Sequence, residues 1–300
     1  MDFLGNPGGL LDFTEIYPVI PTIVVPDLHA RADFMLDILK YKPVIKETDI
    51  NGKKNILDLM RSGRIRVVCV GDGLHSELNK LRWIEAYNDY EKEITTGNAM
   101  KQEMLEGLSL MEIVMRCKCS FPEYFHFLKG NHENILNTNR LGNHPFRKFA
   151  QEGEMVRAFM SSYYGDDVVH LYACMENSLP LCAVCPNCII SHAEPSEAFS
   201  REQLIEGLND RIVILGLTWT GNDESAEESV PRMLEELLPN NPEGVYFGGH
   251  RPVNDMYNLR QNGKFIQIHN PKQYNVAIVN PYKTFNADND IVSVRTVTER

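Results

Sequence analysis

The stretch "FLKGNHEN", residues 127–134, decides how the chain is read. An apolar run stops at Gly130, and an amide, an imidazole and a carboxylate follow at once in Asn131, His132 and Glu133. One such row is a turn like any other. Here the pattern recurs. "PTIVVPDLHA" (21–30), "RIRVVCVGDGLHSE" (64–77), "PLCAVCPNCIISHAEP" (180–195) and "GVYFGGHRPV" (244–253) each run apolar and then turn polar. The breaks fall at Asp27 and His29, at Asp72, at His192 and at His250. Polar groups beyond the ends of neighbouring strands converge on one edge of a sheet, where α/β folds place their sites.

Taken singly, a strand-end histidine more often caps a backbone group or faces water than binds a ligand. Several together weigh differently. Oxygen donors combined with imidazoles suit Zn²⁺, Mn²⁺ or Fe. Asp27 and His29, two apart, can turn to one ion if the chain bends after Pro26. Asp72 has two carboxylate oxygens and can bridge two ions. Asn131 offers a neutral carbonyl oxygen, and His192 and His250 complete a second set. Two metals ~3.5–4 Å apart form a device for in-line displacement at phosphorus.

Between the strand ends the periodicity turns helical. Helices are expected over 31–41, over 78–116 as a pair split near "TTGN" (95–98), over 146–179 and over 230–239. Residues 180–195 read as a hairpin, and "RIVILGLTW" (211–219) runs apolar and then polar. "GKFIQIHN" (263–270) and "YNVAIVNP" (274–281) read as a closing antiparallel pair. Strands alternate with helices early and hairpins come late, which is a mixed α/β fold. No linker divides it. The organisation expected is an N-terminal extension (1–20), one domain (21–285) and a C-terminal tail (286–300), with "NDESAEES" (222–229) as a solvated acidic loop.

The 300 residues are 43% hydrophobic, enough for a large core, and the net charge is -11. That charge argues against nucleic acid as a partner, because phosphate backbones call for clustered Lys and Arg. No apolar run approaches the ~20 residues of a membrane span. The start "MDFLGNPGGL" lacks the early basic residues of a secretory signal, so the compartment expected is the cytoplasm. Seven cysteines, an odd count, fit free thiols better than a disulfide frame. "LCAVCPNCII" has the spacing of a zinc or iron–sulfur site in Cys182, Cys185 and Cys188. A hairpin turning at Pro186-Asn187, with the cysteines as small core residues, fits it better.

With these stretches in order, the chain resembles the calcineurin-like metallophosphoesterases, most closely their phosphoprotein-phosphatase branch. "PDLHAR", "GDGLHSE", "GNHE", "SHAEP" and "GGHRPV" stand where that family has its site motifs, and the resemblance covers roughly residues 20–282. It implies a sandwich of two mixed β-sheets flanked by helices, with two divalent metal ions (manganese, iron or zinc) at one edge. Carried over position by position, Asp27 and His29 bind the first ion and Asp72 bridges. Asn131, His192 and His250 bind the second. His132 protonates the leaving oxygen, and Glu133 is a supporting group. The activity implied is hydrolysis of a phosphate ester, in a phosphoprotein or a small phosphoester such as a nucleotide, by a hydroxide that the two metals activate.

"GDGLHSE" departs from the family. Its second Asp, which orients the catalytic histidine, is His75 here, and its phosphate-holding Arg is Ser76. Glu77 or another carboxylate can take over the orienting role, and His75 can add a ligand or simply sit in a loop. Arg251, directly after His250, is the best substitute for the missing Arg. Arg31 and Lys129 are weaker candidates, with surface roles expected for both. Two functions follow: an enzyme, or a weakly active metal-binding scaffold or phosphate sensor that keeps the site without its clamp.

Overall fold

The computed structural model describes residues 8–295. The first half of the chain holds β1 (Leu10–Asp12), β2 (Thr22–Val25), α1 (Ala32–Lys40), β3 (Val44–Ile45), β4 (Ile50–Asn51) and α2 (Ile56–Arg61). It continues with β5 (Arg66–Cys69), α3 (Lys80–Tyr90), α4 (Asn98–Ser120), β6 (Phe125–Phe127), α5 (Glu152–Tyr164) and α6 (Asp166–Asn177). The second half holds β7 (Cys182–Cys185), β8 (Cys188–Ser191), α7 (Arg201–Glu206), α8 (Arg211–Thr218) and α9 (Ser229–Leu237). Last come β9 (Val245–Gly248), β10 (Asn258–Arg260), β11 (Phe265–Gln267), β12 (Asn275–Val279), α10 (Ala287–Asp290) and β13 (Ile291–Ser293).

The strands form two large mixed sheets, ordered β1-β7-β8-β9-β11-β10 and β13-β12-β2-β5-β6, with β3-β4 as a separate pair. The two-residue period of a strand assigns alternate side chains to opposite faces. Val24, Val68, Ala183, Ile190, Phe247 and Ile266 point into the space between the sheets. Their neighbours Ile23, Val25, Val67 and Cys69 pack outward under α1–α6. On the other sheet Val184, Ile189, Tyr246 and Phe265 pack outward under α7–α9. The result is four layers, helix–sheet–sheet–helix. It also explains why the strand sequences are apolar throughout rather than alternating: both faces are covered.

The helices expected from periodicity form, and the long helical stretch splits between α3 and α4 as expected. Residues 211–218 are a helix. An apolar run alone does not separate strand from helix; here Asp210 caps, accepting from the backbone N–H of Ile212 and Val213. The closing pair is corrected. β11 and β12 do not pair with each other: β11 lies between β9 and β10 in the first sheet, whereas β12 lies between β2 and β13 in the second. Residues 268–274 cross from one sheet to the other. Both runs are buried on two faces, so nothing in their patterning distinguishes a hairpin from a change of sheet.

The sheets reach beyond 21–285 at both ends, through β1, which pairs with β7, and β13, which pairs with β12. Residues 1–7 and 296–300 of the expected extension and tail lie outside the described residues. Cys185 and Cys188 face each other across the β7–β8 turn. They point between the sheets while Cys182 points to the helical side, so the cysteines do not converge on an ion. No helix among the described residues is long and apolar enough to cross a membrane.

Candidate metal centre

Strands β2, β5 and β6 are mutually parallel, and so are β8, β9 and β11 in the other sheet. Their carboxyl ends therefore open at the same end of the sandwich. Asp27 and His29 follow β2, Asp72 follows β5, Asn131 and His132 follow β6, His192 follows β8 and His250 follows β9. All seven of these sequence-expected residues meet there; Arg251, next after His250, is exposed.

The backbone is bent to achieve this. His29, Asp72 and His250 have φ of 43°, 55° and 61°, the left-handed region that costs an ordinary residue of order 1 kcal/mol or more. Close approach depends on two glycines. A Cβ on Gly249 would fall 1.8 Å from Asp27 Oδ1, and one on Gly130 would fall 2.1 Å from Asp72 Oδ1.

Hydrogen bonds at the back of each ring fix which nitrogen faces inward. His29 Nδ1 donates to the carbonyl of His75 (3.2 Å), and His192 Nδ1 donates to that of Val70 (3.1 Å). A carbonyl only accepts, so both rings carry their proton on Nδ1 and turn the Nε2 lone pair to the centre. There Asp72 Oδ2 lies 3.7 Å from His29 Nε2, 3.5 Å from His192 Nε2 and 3.6 Å from His132 Nε2. Asp72 thus stands between the two groups of donors, where a bridging ligand belongs. Asn131 Oδ1 is 3.0 Å from His192 Nε2 and 3.1 Å from His250 Nδ1. Asp27 Oδ2 accepts from the His250 N–H at 2.9 Å, and Asp72 Oδ1 from the His132 N–H at 3.0 Å.

Burial sets the charges. It pushes Asp27 up to about 6 and Asp72 well above the carboxylate range, the latter helped by the nearby Glu133. It pulls His29, His132 and His192 well below the usual imidazole value and His250 down to about 3. Neutral imidazoles are the ligand form. Asp27 Oδ1 and His250 Nε2 are buried with no hydrogen-bond partner among the described residues. Orphaned buried acceptors of this kind are costly; His269 Nδ1, also buried without a partner among the described residues, faces Asp27 Oδ2 at 3.7 Å, and a divalent cation between the two would satisfy it. The groups Asp27–His29–His269, His29–Asp72–His132 and Asp27–Asp72–His192 each bring their donor atoms within 4.8 Å of one another. The donor set fits the ions the sequence suggests.

Glu133 supports the site from behind. Its carboxylate accepts from the backbone N–H of Asp72, Gly73 and Gly130 at 2.9, 2.9 and 2.7 Å, tying the loop after β5 to the loop after β6. Other expectations are corrected. Arg31 and Lys129 are buried, not on the surface. Arg31 donates to the carbonyls of Asp27, Leu28, Asn270, Pro271 and Gln273. Lys129 donates to those of Glu133 and Glu176. Both cations are spent on backbone, so neither is free to hold a phosphate. The His75 ring lies behind His132, against Phe146 and Trp83, and is in none of the donor groups.

Glu77 does not orient His132. Its carboxylate meets His269 Nε2 at 2.8 Å, lies 3.5 Å from His29 Nε2 and is paired to Lys148. Burial pushes Glu77 up, but the hydrogen bonds it accepts from His269 and Lys148 favour its charged form and hold it below the carboxylate range. His132 Nδ1 has no hydrogen-bond partner among the described residues, and the ring packs with its centroid 3.4 Å from that of Phe146.

The sequence reading missed His269. It stands at the end of β11, fully buried, with Nδ1 3.7 Å from Asp27 Oδ2. The signal was present: "FIQIHN" is an apolar run ended by His and Asn, like the other strand ends. A cavity of about 490 Å³ opens onto His29 and Glu77, bounded by Arg31, Asn79, Glu106 and Tyr274.

Against solved structures, a protein serine/threonine phosphatase from Saccharomyces cerevisiae superposes with a TM-score of 0.56 at 14% identity, over 95% of this chain and 82% of that one. The fold is that of the calcineurin-like phosphoesterases. A metallophosphoesterase from Sphaerobacter thermophilus is matched at a TM-score of 0.34 and 12% identity, over 92% of this chain and 86% of that one. A cold-active protein tyrosine phosphatase is matched at 0.46 and 14%, over 90% of this chain and 75% of that one. No family model and no curated protein matches the chain by sequence. At 14% identity the likeness to the yeast phosphatase carries the fold alone, and the chemistry has to be argued from the site.

Proposed function

We propose that the chain is a metal-dependent phosphoesterase acting on a phosphorylated substrate, with Asp27 and His29 holding one divalent ion, Asn131, His192 and His250 a second, and Asp72 shared. The observation that carries this reading is the convergence on Asp72 Oδ2 of three imidazole nitrogens at 3.5–3.7 Å, two of them with their lone pairs fixed inward. When bound, two such cations would neutralise phosphoryl oxygens and make water a nucleophile at neutral pH. The chain does the rest. Glu133 holds the two ligand loops at a fixed separation. His132 Nε2, at the edge of the donor group, is the atom placed to hand a proton to the departing oxygen. Burial and the neighbouring imidazoles disfavour its charged form, so the negative charge of a bound phosphoester is what sustains the acid. Asn131 and Arg251, exposed and next in sequence to His250, are the residues assigned to the substrate, Arg251 supplying charge-assisted donors that Ser76 cannot.

One observation favours the slower alternative, a metal-binding scaffold or phosphate sensor: no carboxylate fixes the tautomer of His132. Turnover of p-nitrophenyl phosphate with Mn²⁺, Zn²⁺ or Fe²⁺ decides between them. The expected result is metal-dependent hydrolysis, lost at least a hundredfold in Asp72→Asn and retained in His75→Ala. Metal binding and phosphate binding without turnover would establish the scaffold instead.

A further inference from the structure

His269 and Glu77 are absorbed by none of the roles above, yet they complete one side of the centre. Resting on the reading of this end of the sandwich as a cation site, we infer that His269 is a direct ligand of the first ion and that Glu77 is the carboxylate that fixes its ring. The ring geometry argues it. His269 Nε2 donates to Glu77 Oε2 at 2.8 Å, since an ionised carboxylate only accepts. That leaves Nδ1 as the ring's ligand atom, and it is buried with no hydrogen-bond partner among the described residues. It faces Asp27 Oδ2 at 3.7 Å, and His29 Nε2 faces the same oxygen at 3.8 Å. Lone pairs directed at a carboxylate oxygen repel it unless a cation lies between. Donors that each bind one ion at ~2.0–2.2 Å stand roughly 3–4 Å apart, which is the spacing found.

The support is equally specific. A ligating histidine usually gives its other N–H to a carboxylate, which sets the tautomer and raises the ring's basicity. Glu77 does this for His269 through Oε2, and its other oxygen is paired to Lys148. The backbone of His269 is pinned as well. Its carbonyl accepts from the Val253 N–H at 2.8 Å. Arg31 ties the turn after it to Asp27 through the carbonyls of residues 27, 270, 271 and 273. Arg31 is thereby a positioning residue, joining both ligands of one ion through a single guanidinium. With His29, His269 and Asp27 around it, the first site has two imidazoles and a carboxylate in its ligand set, a composition suited to Zn²⁺ or Fe²⁺ over Mg²⁺.

The test reads metal rather than activity. Wild type, His269→Ala and Glu77→Gln are stripped, reloaded with Zn²⁺ or Co²⁺, and followed by elemental analysis, titration calorimetry and the visible spectrum of the Co²⁺ form. Wild type should hold two ions. His269→Ala should keep one tight ion and bind the other at least a hundredfold more weakly, with the Co²⁺ bands of one site altered. Glu77→Gln should keep both ions, one of them bound ten- to a hundredfold more weakly. If His269→Ala folds poorly, Glu77→Gln alone decides, since it leaves the ligand in place. Two ions bound in the variants with unchanged affinity and spectrum would overturn the assignment of His269. A wild type that binds no ion would overturn the metal centre itself, a different and separable result.

Discussion

At the scale of single residues, the centre is built from side chains whose roles follow from what lies behind them. His29 and His192 are ligands in waiting because backbone carbonyls hold their Nδ1 protons; the carbonyl, not the ring, sets the chemistry. Arg251 has no such fixing. It is exposed, one residue after His250, and its Nη2 would lie 3.0 Å from a Cβ on Gly221. With Arg31 and Lys129 committed to backbone carbonyls, Arg251 is the cation next to the centre left to meet a phosphoryl group. Arg251→Ala should lower kcat/KM roughly ten- to a hundredfold, ~1.4–2.7 kcal/mol of lost stabilisation, with metal content unchanged. Arg251→Lys should restore only part, because a point charge does not form two parallel bonds. Wild-type kinetics in Arg251→Ala would remove it from the site.

At this scale most of the centre was legible in the sequence, and for a physical reason. A polar residue that ends a doubly buried strand has left the core, and five such endings in one chain are hard to assign to caps. Two things were not legible. Arg31 looks like an ordinary first-turn surface residue until the 270–273 turn, distant in sequence, is folded over it. His269 carries the same signature as the others but stands beyond the matched motifs, and its value appears only when β11 is placed beside β9.

Between elements, the centre depends on a fixed distance between the loop after β5 and the loop after β6. Glu133 sets it with one carboxylate shared among three backbone N–H groups. Burial pushes Glu133 up, while these three bonds favour its charged form. Glu133→Gln keeps the volume but leaves one oxygen and an added N–H₂ facing backbone donors. An unsatisfied buried group costs ~1–3 kcal/mol, so the variant should lose about that much stability by denaturant titration and weaken metal binding at Asp72 and Asn131 together. Full stability in Glu133→Gln would show that the loops hold without the staple. The same scale explains the two element-level surprises. The 211–218 run is apolar enough for either strand or helix, and the Asp210 cap tips it. The β11 and β12 runs are both buried on two faces, so patterning is silent on which sheet each joins.

For the molecule as a whole, buried imidazoles make stability a function of pH, and one of them lies well away from the centre. His126 is in β6, between the sheets and the end of α4, its ring tilted against Phe13 with centroids 4.9 Å apart and Nε2 3.1 Å from the carbonyl of Glu123. Burial, with Lys118 nearby, pulls it down to about 3. The sign follows. In the unfolded chain the ring titrates near 6.5, so below that pH the unfolded state binds a proton that the folded state refuses. Stability is then lost as pH falls from about 6.5 towards 3, at up to about 1.4 kcal/mol per pH unit, or about 2 kcal/mol by pH 5. His126→Phe keeps an aromatic ring against Phe13 and removes the titration. Compared with wild type in chelator, where every other imidazole is common to both proteins, it should show a shallower fall in unfolding free energy between pH 7 and pH 5. The two proteins should diverge by about 2 kcal/mol over that range, whatever their offset at pH 7. Parallel curves would mean that His126 is protonated in the folded protein and that the packing between β6 and α4 admits water.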